Sequence, residues 1–389
     1  MKRWLGLTRN VVVLGFVSFF TDLSTEMIVP LLPFFLVSEL GASVAFVGLV
    51  EGFAEAAIHI FKIPAGLLSD RLRRRKILVV LGYAFSALTK PLLAWTRVPA
   101  QVLGLRLLDR AGKGVRDAPR DALIGESSQA ATRGRAFGFH RALDTAGAVA
   151  GALLTTGLLA AGFTSRQIFA VAGLGGAASV LLIVFFIHDI PRVIRTKLRF
   201  SQSAHLPKVF WLVVAAAAIF SVGQFGSAFY VLRASQLGFA VTLLPIIFIV
   251  FNITHALLST PAGILSDRIG RKAPLVLGWL GFVGSTTLLA LGYNGPILWS
   301  AIVLYGIFLA LTDGVVRALI SDLVSADHRA TAFGLYGVII GFAVLIANTT
   351  VGTLLQNLGP AYAFGLPVIT SVMAILVLLA IKIPKRAAK

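Results

Sequence analysis

The chain has no cysteine and only 3 methionines among its 389 residues. Without thiols it can form no disulfide scaffold, no thiolate metal centre and no cysteine nucleophile. Charge is scarce too: Asp, Glu, Lys and Arg make up 13% of the residues, about half the share of a typical soluble domain. Acidic residues are the scarcest, 16 against 35 Lys and Arg, for a formal net charge of +19. No glycine loop ending in Lys-Ser or Lys-Thr occurs, so ATP drive within this chain is not expected. No nucleophile, base and orienting group fall at usable spacing, which argues against an enzyme.

Apolar residues are what the chain has in quantity: 57% hydrophobic, with 28 Phe and 38 Gly and a mean hydropathy of +0.90. That composition excludes both a soluble single-core domain and a disordered chain. A helix needs about 20 apolar residues to cross a bilayer core, and the punctuation of the chain divides it into twelve such stretches. The expected spans are 10–36, 44–68, 77–96, 100–121, 136–161, 166–187, 209–232, 240–265, 274–293, 297–317, 331–356 and 361–382. Lys and Arg gather on one set of loops and at both ends, whereas the opposite loops hold only Arg97, Arg166 and Arg233. This bias places both termini in the cytoplasm, and it accounts for the basic excess without nucleic acid. Gly41-Ala42-Ser43 comes too late for signal cleavage, so the first span reads as a retained anchor.

The chain repeats itself. Pro64-Ala65-Gly66-Leu67-Leu68-Ser69-Asp70-Arg71 recurs as Pro261-Ala262-Gly263-Ile264-Leu265-Ser266-Asp267-Arg268, and Ala136-Phe137-Gly138 as Ala332-Phe333-Gly334. The expected division is an N-terminal six-helix bundle at 1–187, a cytoplasmic linker at 188–208 and a C-terminal six-helix bundle at 209–389. Across essentially its whole length the sequence resembles the major facilitator superfamily of secondary transporters. Gly66, Asp70, Arg71, Arg74 and Arg75 match the family's G-x-x-x-D-R-x-G-R-[RK] loop, with Arg73 where glycine is usual. Gly263, Asp267, Arg268, Gly270, Arg271 and Lys272 match it more fully. The resemblance implies an all-α membrane protein of 12 transmembrane helices in two pseudo-symmetric bundles, working by alternating access without a cofactor. It also implies that these loops form the cytoplasmic gate. Independently of the family, Gly66 offers close helix packing, and Asp70 suits the N-terminus of the helix that follows.

Span 4 carries Arg106, Asp109, Arg110, Lys113, Arg116, Asp117, Arg120 and Asp121, spaced as one helical face. At about 2.5–3.5 kcal/mol each, eight charges facing lipid would cost on the order of 20 kcal/mol, so the stripe turns inward. Arg106, Gly112 and Gly114 match the family's R-x-x-Q-G-x-G-x-G pattern, while Asp109 and Arg110 replace its Gln and Gly. In the family this span lines the cavity, which makes Arg106, Asp109, Arg110 and Lys113 candidates for the substrate. Five cations against three carboxylates favour an anionic or amphiphilic solute. A structural ion-pair network, with Asp109 and Asp117 both within a turn of Lys113, is the alternative. Arg116, Asp117, Arg120 and Asp121 read as gate residues, with Asp121 a partner for the arginines at 71, 74 and 75; Asp313 aligns with Asp117.

Asp22 and Glu26 on span 1, and Glu51, Glu55 and His59 on span 2, are candidates for proton coupling, since burial and nearby cations move a carboxyl's proton affinity. Pairing with the span 4 cations is the competing role. The same residues could hold a divalent metal, so a metal exporter is an alternative function, as is a membrane sensor or lipid-handling protein. Lys90, Arg141 and Asp144 are further charges inside spans, with no role assigned. The Gly-Pro-rich antiporter motif of the family's fifth span survives here only as Gly151. Expected partners are membrane lipids, a small-molecule substrate and protons, for a monomer in a bacterial inner membrane.

The cysteine-free chain makes the topology directly testable. Lys2→Cys and Lys389→Cys should react with a membrane-impermeant maleimide only after the membrane is opened, and Arg97→Cys should react in intact cells.

Overall fold

The computed structural model describes residues 7–71, 75–129, 132–189, 206–292, 294–325 and 328–382, with the side chains of 70, 71 and 330 left aside. The helices are α1 (Arg9–Glu26), α2 (Leu32–Phe34), α3 (Val44–Arg71), α4 (Lys76–Leu92), α5 (Pro99–Glu126), α6 (Arg133–Ala160) and α7 (Ser165–Phe186). They continue as α8 (Lys208–Gly223), α9 (Ala228–Gln236), α10 (Leu244–Ile269), α11 (Lys272–Leu291), α12 (Gly295–Leu323), α13 (Arg329–Asn357) and α14 (Pro360–Ala380).

Each expected span coincides with a helix or a broken helix. Ten helical stretches among the described residues are long and apolar enough to cross a membrane. The other two spans are α1 with its extension, and α5. Composition alone disqualifies α5: it carries the eight-charge stripe, yet its 28 residues rise about 42 Å, enough to span. Leu88, Trp95, Leu174, Phe185, Leu257 and Leu376 are exposed while arginines of α5 are buried. That inversion of a soluble protein's layout identifies the outer surface as the lipid-facing one.

Two spans break where they were expected to continue. The first stops at Glu26, turns through Met27–Leu31 and resumes as α2, followed by a wide turn of helix over Phe35–Glu39. Pro30 and Pro33, which lack amide protons, fall in or beside this turn. The seventh stops at Gly223 and resumes at Ala228. Gly226 N–H in that gap donates to Asn348 Oδ1 at 3.0 Å, and Asn348 Nδ2 donates to Val344 O at 2.8 Å. The fully buried Asn348 therefore holds the break together, as irregular backbone at this depth requires.

The chain forms two compact units. The first gathers Met1–Ala42, Phe53–Lys197 and Ala240–Ile249; the second gathers Ser43–Gly52, Leu198–Phe239 and Val250–Lys389. Helix α3 thus starts in the second unit, where Ala45 N–H donates to Gln356 Oε1 at 3.0 Å, and continues in the first. Apolar clusters around Leu14, Val17, Val79 and Ile183 in the first unit, and around Phe210, Val214 and Ile320 in the second, fill the cores. The second unit adds an aromatic nest, with Phe220 stacked on Trp279 at 4.7 Å and Phe282 beside Phe308 at 4.9 Å.

Helix crossings in the first unit depend on small residues. A Cβ on Gly147 or Gly151 of α6 would strike the backbone carbonyl of Phe19 or Leu23 of α1, a small-xxx-small crossing. A Cβ on Gly82 of α4 would lie 2.6 Å from Gly112 O of α5, and one on Gly114 of α5 would lie 2.7 Å from Ile58 O of α3. Gly66 is not such a site: a Cβ there would meet only Ala118 Cβ at 3.6 Å, an ordinary contact. The close packing expected at Gly66 is therefore supplied elsewhere. Gly147→Leu should lower the thermal midpoint of the purified protein, by about 1–3 kcal/mol of overpacking. Gly157→Ala on the same helix, where nothing lies within 4 Å, should leave it unchanged or raise it.

Candidate functional site

Helix α5 presents its charges to the interior of the first unit. Arg106 is 2% exposed, Arg116 4%, Arg110 7% and Asp109 9%. Asp109 Oδ2 lies 3.4 Å from Arg106 Nη1 and 3.8 Å from Arg110 Nε, so one carboxylate serves two guanidinium groups. Asp117 and Asp121 both pair with Arg120, at 3.2 and 2.9 Å. The lysine-centred pairs read from sequence, Asp109–Lys113 and Lys113–Asp117, are not formed. Among the described residues half-buried Lys113 makes no ion pair. Arg116 leans on α4 instead: its guanidinium lies over the Tyr83 ring, 4.2 Å from the centroid, and its Nη1 donates to Ser86 Oγ at 2.8 Å.

A small cleft opens at the end of α4 away from the Arg75 loop. It is lined by Thr25, Ile28 and Val29, by Thr89 and Lys90 of α4 and Leu93 just beyond it, and by Leu105, Arg106 and Asp109 of α5; it has room for about one water molecule. Lys90 is 3% exposed, and its Nζ donates to Thr21 O at 3.1 Å and Thr25 Oγ1 at 3.0 Å. Both partners are neutral. The sequence marked Lys90 as a charge inside a span but gave no reason to set it beside Arg106. The neighbouring Glu26 has a buried Oε2 with no hydrogen-bond partner.

The span 2 candidates follow one another on successive turns of α3, with Glu51 buried and Glu55 and His59 half-buried. Among the described residues no three His, Asp or Glu side chains come together as a metal site would require. The span 1 and span 2 donors therefore do not make the metal site considered from sequence.

The duplicated loops carry a duplicated set of contacts. Arg271 bridges Asp267 at 2.6 Å and Asp322 at 3.0 Å, and its Nη1 also donates to Ser266 Oγ. Burial opposes its charge, but hydrogen bonds to Asp322 and Asp267 hold its pKa above the ordinary value. Gly270, at φ +91°, makes the left-handed turn that an L side chain resists. In the motif the counterpart of Gly270 is Arg73, which with Arg74 lies outside the described residues; beyond it the contacts run at an offset of 196 and not 197, so Arg75 and Lys76, not Arg74 and Arg75, answer Arg271 and Lys272. Asp70 and Arg71 end α3 with undescribed side chains. Arg75, 196 residues before Arg271, lies 3.7 Å from Glu126, itself 196 residues before Asp322. Asp121 pairs with Arg120; of the loop arginines expected to meet it, Arg71 and Arg74 have side chains outside the described residues. Among the described residues an anion at the start of α4 is Asp189, whose Oδ1 accepts from Lys76 N–H at 3.0 Å.

Lys76 Nζ donates to Val184 O and Ile187 O at 2.7 and 2.8 Å, and its repeat, Lys272, donates to Leu379 O and Ile381 O. Each lysine thus neutralises the carbonyl end of the last long helix of its half. Gly263, Arg268 and Asp313 are half-buried or exposed.

The family model described as Major Facilitator Superfamily matches residues 14–247 and 212–389. The chain belongs to that superfamily. An uncharacterised MFS-type transporter of Methanocaldococcus jannaschii is 38% identical over 360 residues, covering 90% of this chain and 89% of the relative. A mutant of the nucleoside transporter NupG superposes with a TM-score of 0.81 at 16% identity, covering 95% of this chain and 98% of that one. A POT family transporter in complex with 5-aminolevulinic acid gives a TM-score of 0.79 at 14% identity, covering 97% and 96%. These two likenesses establish the fold. This superfamily member is a multi-pass membrane transporter and not an enzyme.

Removing one member of a buried ion pair leaves its partners charged and unmatched. Asp109→Asn should therefore destabilise the purified transporter by about 3–5 kcal/mol, read as a fall in thermal midpoint, and Asp109→Glu should recover part of the loss.

Proposed function

We propose that this transporter moves a small anionic solute together with protons by alternating access, in a bacterial inner membrane with both termini cytoplasmic. A single chain is the working unit, with bundles at 1–187 and 209–389 joined by 188–208. Arg106, Asp109, Arg110 and Lys113 form the substrate cavity, and Lys90 joins them. Asp22, Glu26 and Glu55 carry the coupling protons. The loop residues around Asp70, Arg75, Asp267 and Arg271, with Arg116 to Asp121, act at the cytoplasmic gate.

The observation that carries this reading is Lys90. A buried ammonium whose hydrogen bonds all go to neutral oxygens, on a cleft it shares with Arg106, favours an arriving anion. Asp109 is already divided between two arginines, and Lys113 has no ion-pair partner among the described residues. The stripe therefore has cationic capacity that its own carboxylates do not use. An acid neutralised on entering the cleft would complete these partnerships, and coupling to protons would keep the moved charge small.

Thermal-shift measurements on the purified protein with a panel of small carboxylates and phosphates, matched neutral amides and amines test the reading. Selective stabilisation by anions is expected, as is at least a tenfold weaker effect in Lys90→Gln. Equal stabilisation by neutral analogues, or an anion effect untouched in Lys90→Gln, would overturn it. Uptake into proteoliposomes under an imposed pH gradient, dependent on the gradient and reduced in Arg110→Ala, tests the coupling.

A further inference from the structure

Arg97, Arg166 and Arg233 stand apart from the basic loops, and two of the three are engaged at equivalent points of the repeat. Arg166, in the first turn of α7, donates through Nη1 to Ala94 O at 2.8 Å and Thr96 O at 2.7 Å. Arg233, in the last turn of α9, donates through Nη2 to Gly292 O at 2.7 Å. Thr96 and Gly292 each follow the last helical turn of a span with extended backbone, and they lie 196 residues apart. Each arginine thus meets a carbonyl that the end of a helix leaves open. For Arg166 the position runs against its own helix, since a cation in the first turn faces the positive end of the α7 dipole. What favours it there is the carbonyl end of the neighbouring span.

The same side chain grips the part of span 1 that follows the break. Its guanidinium lies over the Phe35 ring, 5.1 Å from the centroid, and its Nε lies 3.8 Å from Glu39 Oε2. Phe35 in turn packs edge-on against Phe169 of α7 at 5.1 Å. Phe35 and Glu39 are the first and last residues of the wide turn that follows α2. The cleft beside Lys90 adjoins both the break and the grip: its wall takes Ile28 and Val29 from the one, and Leu93, the residue before Ala94, from the other. The Arg166 side chain keeps 37% of its surface exposed and Glu39 29%, so the grip can open without stranding a buried charge. In the second unit the tie is direct, because Arg233 belongs to α9, the segment that follows the break in span 7.

We propose that Arg166 is a positioning residue for transport: it clasps the segment Phe35–Glu39 to the end of span 3 and closes the cleft there. Arg233 clasps α9 to the end of α11 in the same way. Release of the Arg166 clasp frees Phe35–Glu39 from the Leu93 side of the cleft and opens it to solute. The proposal rests on the reading of the cleft given above for what the opening admits; the clasp itself needs no solute.

Hydrogen exchange of the purified protein, read by mass spectrometry, tests the clasp. The Leu40 and Ala42 amides, which donate to Phe35 O and Leu36 O, are the probes. In Arg166→Gln the amides of 35–42 should exchange about tenfold faster than in the wild type, and those of 10–24 should keep their rates, because opening of one segment exposes only its own amides. Maleimide labelling of the same protein tests the closure. Val29→Cys, on the cleft wall, should react faster when combined with Arg166→Gln, while Leu14→Cys, fully buried in α1, should stay unreactive in both backgrounds. Unchanged exchange at 35–42, equal acceleration along α1, a matching gain at Leu14→Cys, or no gain at Val29→Cys would each overturn the proposal. Should Arg166→Gln fail to fold, Arg166→Lys serves, since it keeps a charge for Glu39 but not the planar group that meets two carbonyls and a ring. Its exchange at 35–42 should rise about threefold, and a wild-type rate would overturn the clasp. Both measurements are made without solute, so a failed anion screen and a failed clasp give separate results.

Discussion

A charge removed from water must find an opposite charge, a set of dipoles or a proton. That constraint shapes the first unit. The charged stripe of α5, and Lys90 of α4 beside it, are kept from lipid and are then matched in different ways. Asp109 is shared by Arg106 and Arg110, Arg116 rests on the Tyr83 ring, and Lys90 is held by neutral oxygens of α1. The small residues of α4, α5 and α6 make this possible, because only a close crossing brings side chains from three helices to the same depth.

The second unit solves a simpler problem. Its interior is aromatic, centred on Phe220, Trp279, Phe282 and Phe308, and its break between α8 and α9 is held by the neutral Asn348. Duplication has kept the loop chemistry in both halves: Arg75–Glu126 answers Arg271–Asp322, and Lys76 answers Lys272. The interiors have diverged. The first unit keeps its charges inside, and the second fills the corresponding space with rings.

Much of the fold was legible beforehand, because spans are set by length and hydropathy and the repeat is printed in the residues themselves. The partnerships were less so. Lys113 was expected to pair with Asp109 and Asp117 from helical spacing, yet those carboxylates turned to arginines, whose longer forked side chains reach around the helix. Asp121 was expected to meet the loop arginines, and the partner on view is its immediate neighbour Arg120. Glu126 and Asp322 went unnoticed because they lie beyond the quoted motifs. The shared offset of 196 was the signal that would have found them.

What the sequence determined by itself is the number and boundaries of the membrane helices, the internal duplication and the inward orientation of the α5 charges, all consequences of the cost of exposing charge or backbone to hydrocarbon. Only the tertiary structure decided that Lys90 stands beside Arg106, that Ser18 donates to Asp144 and that Asn348 holds a broken helix. Helical periodicity sets which residues share a face of one helix. The depth and rotation of one helix against another come from the packing of small residues at their crossing, and that is a property of the pair.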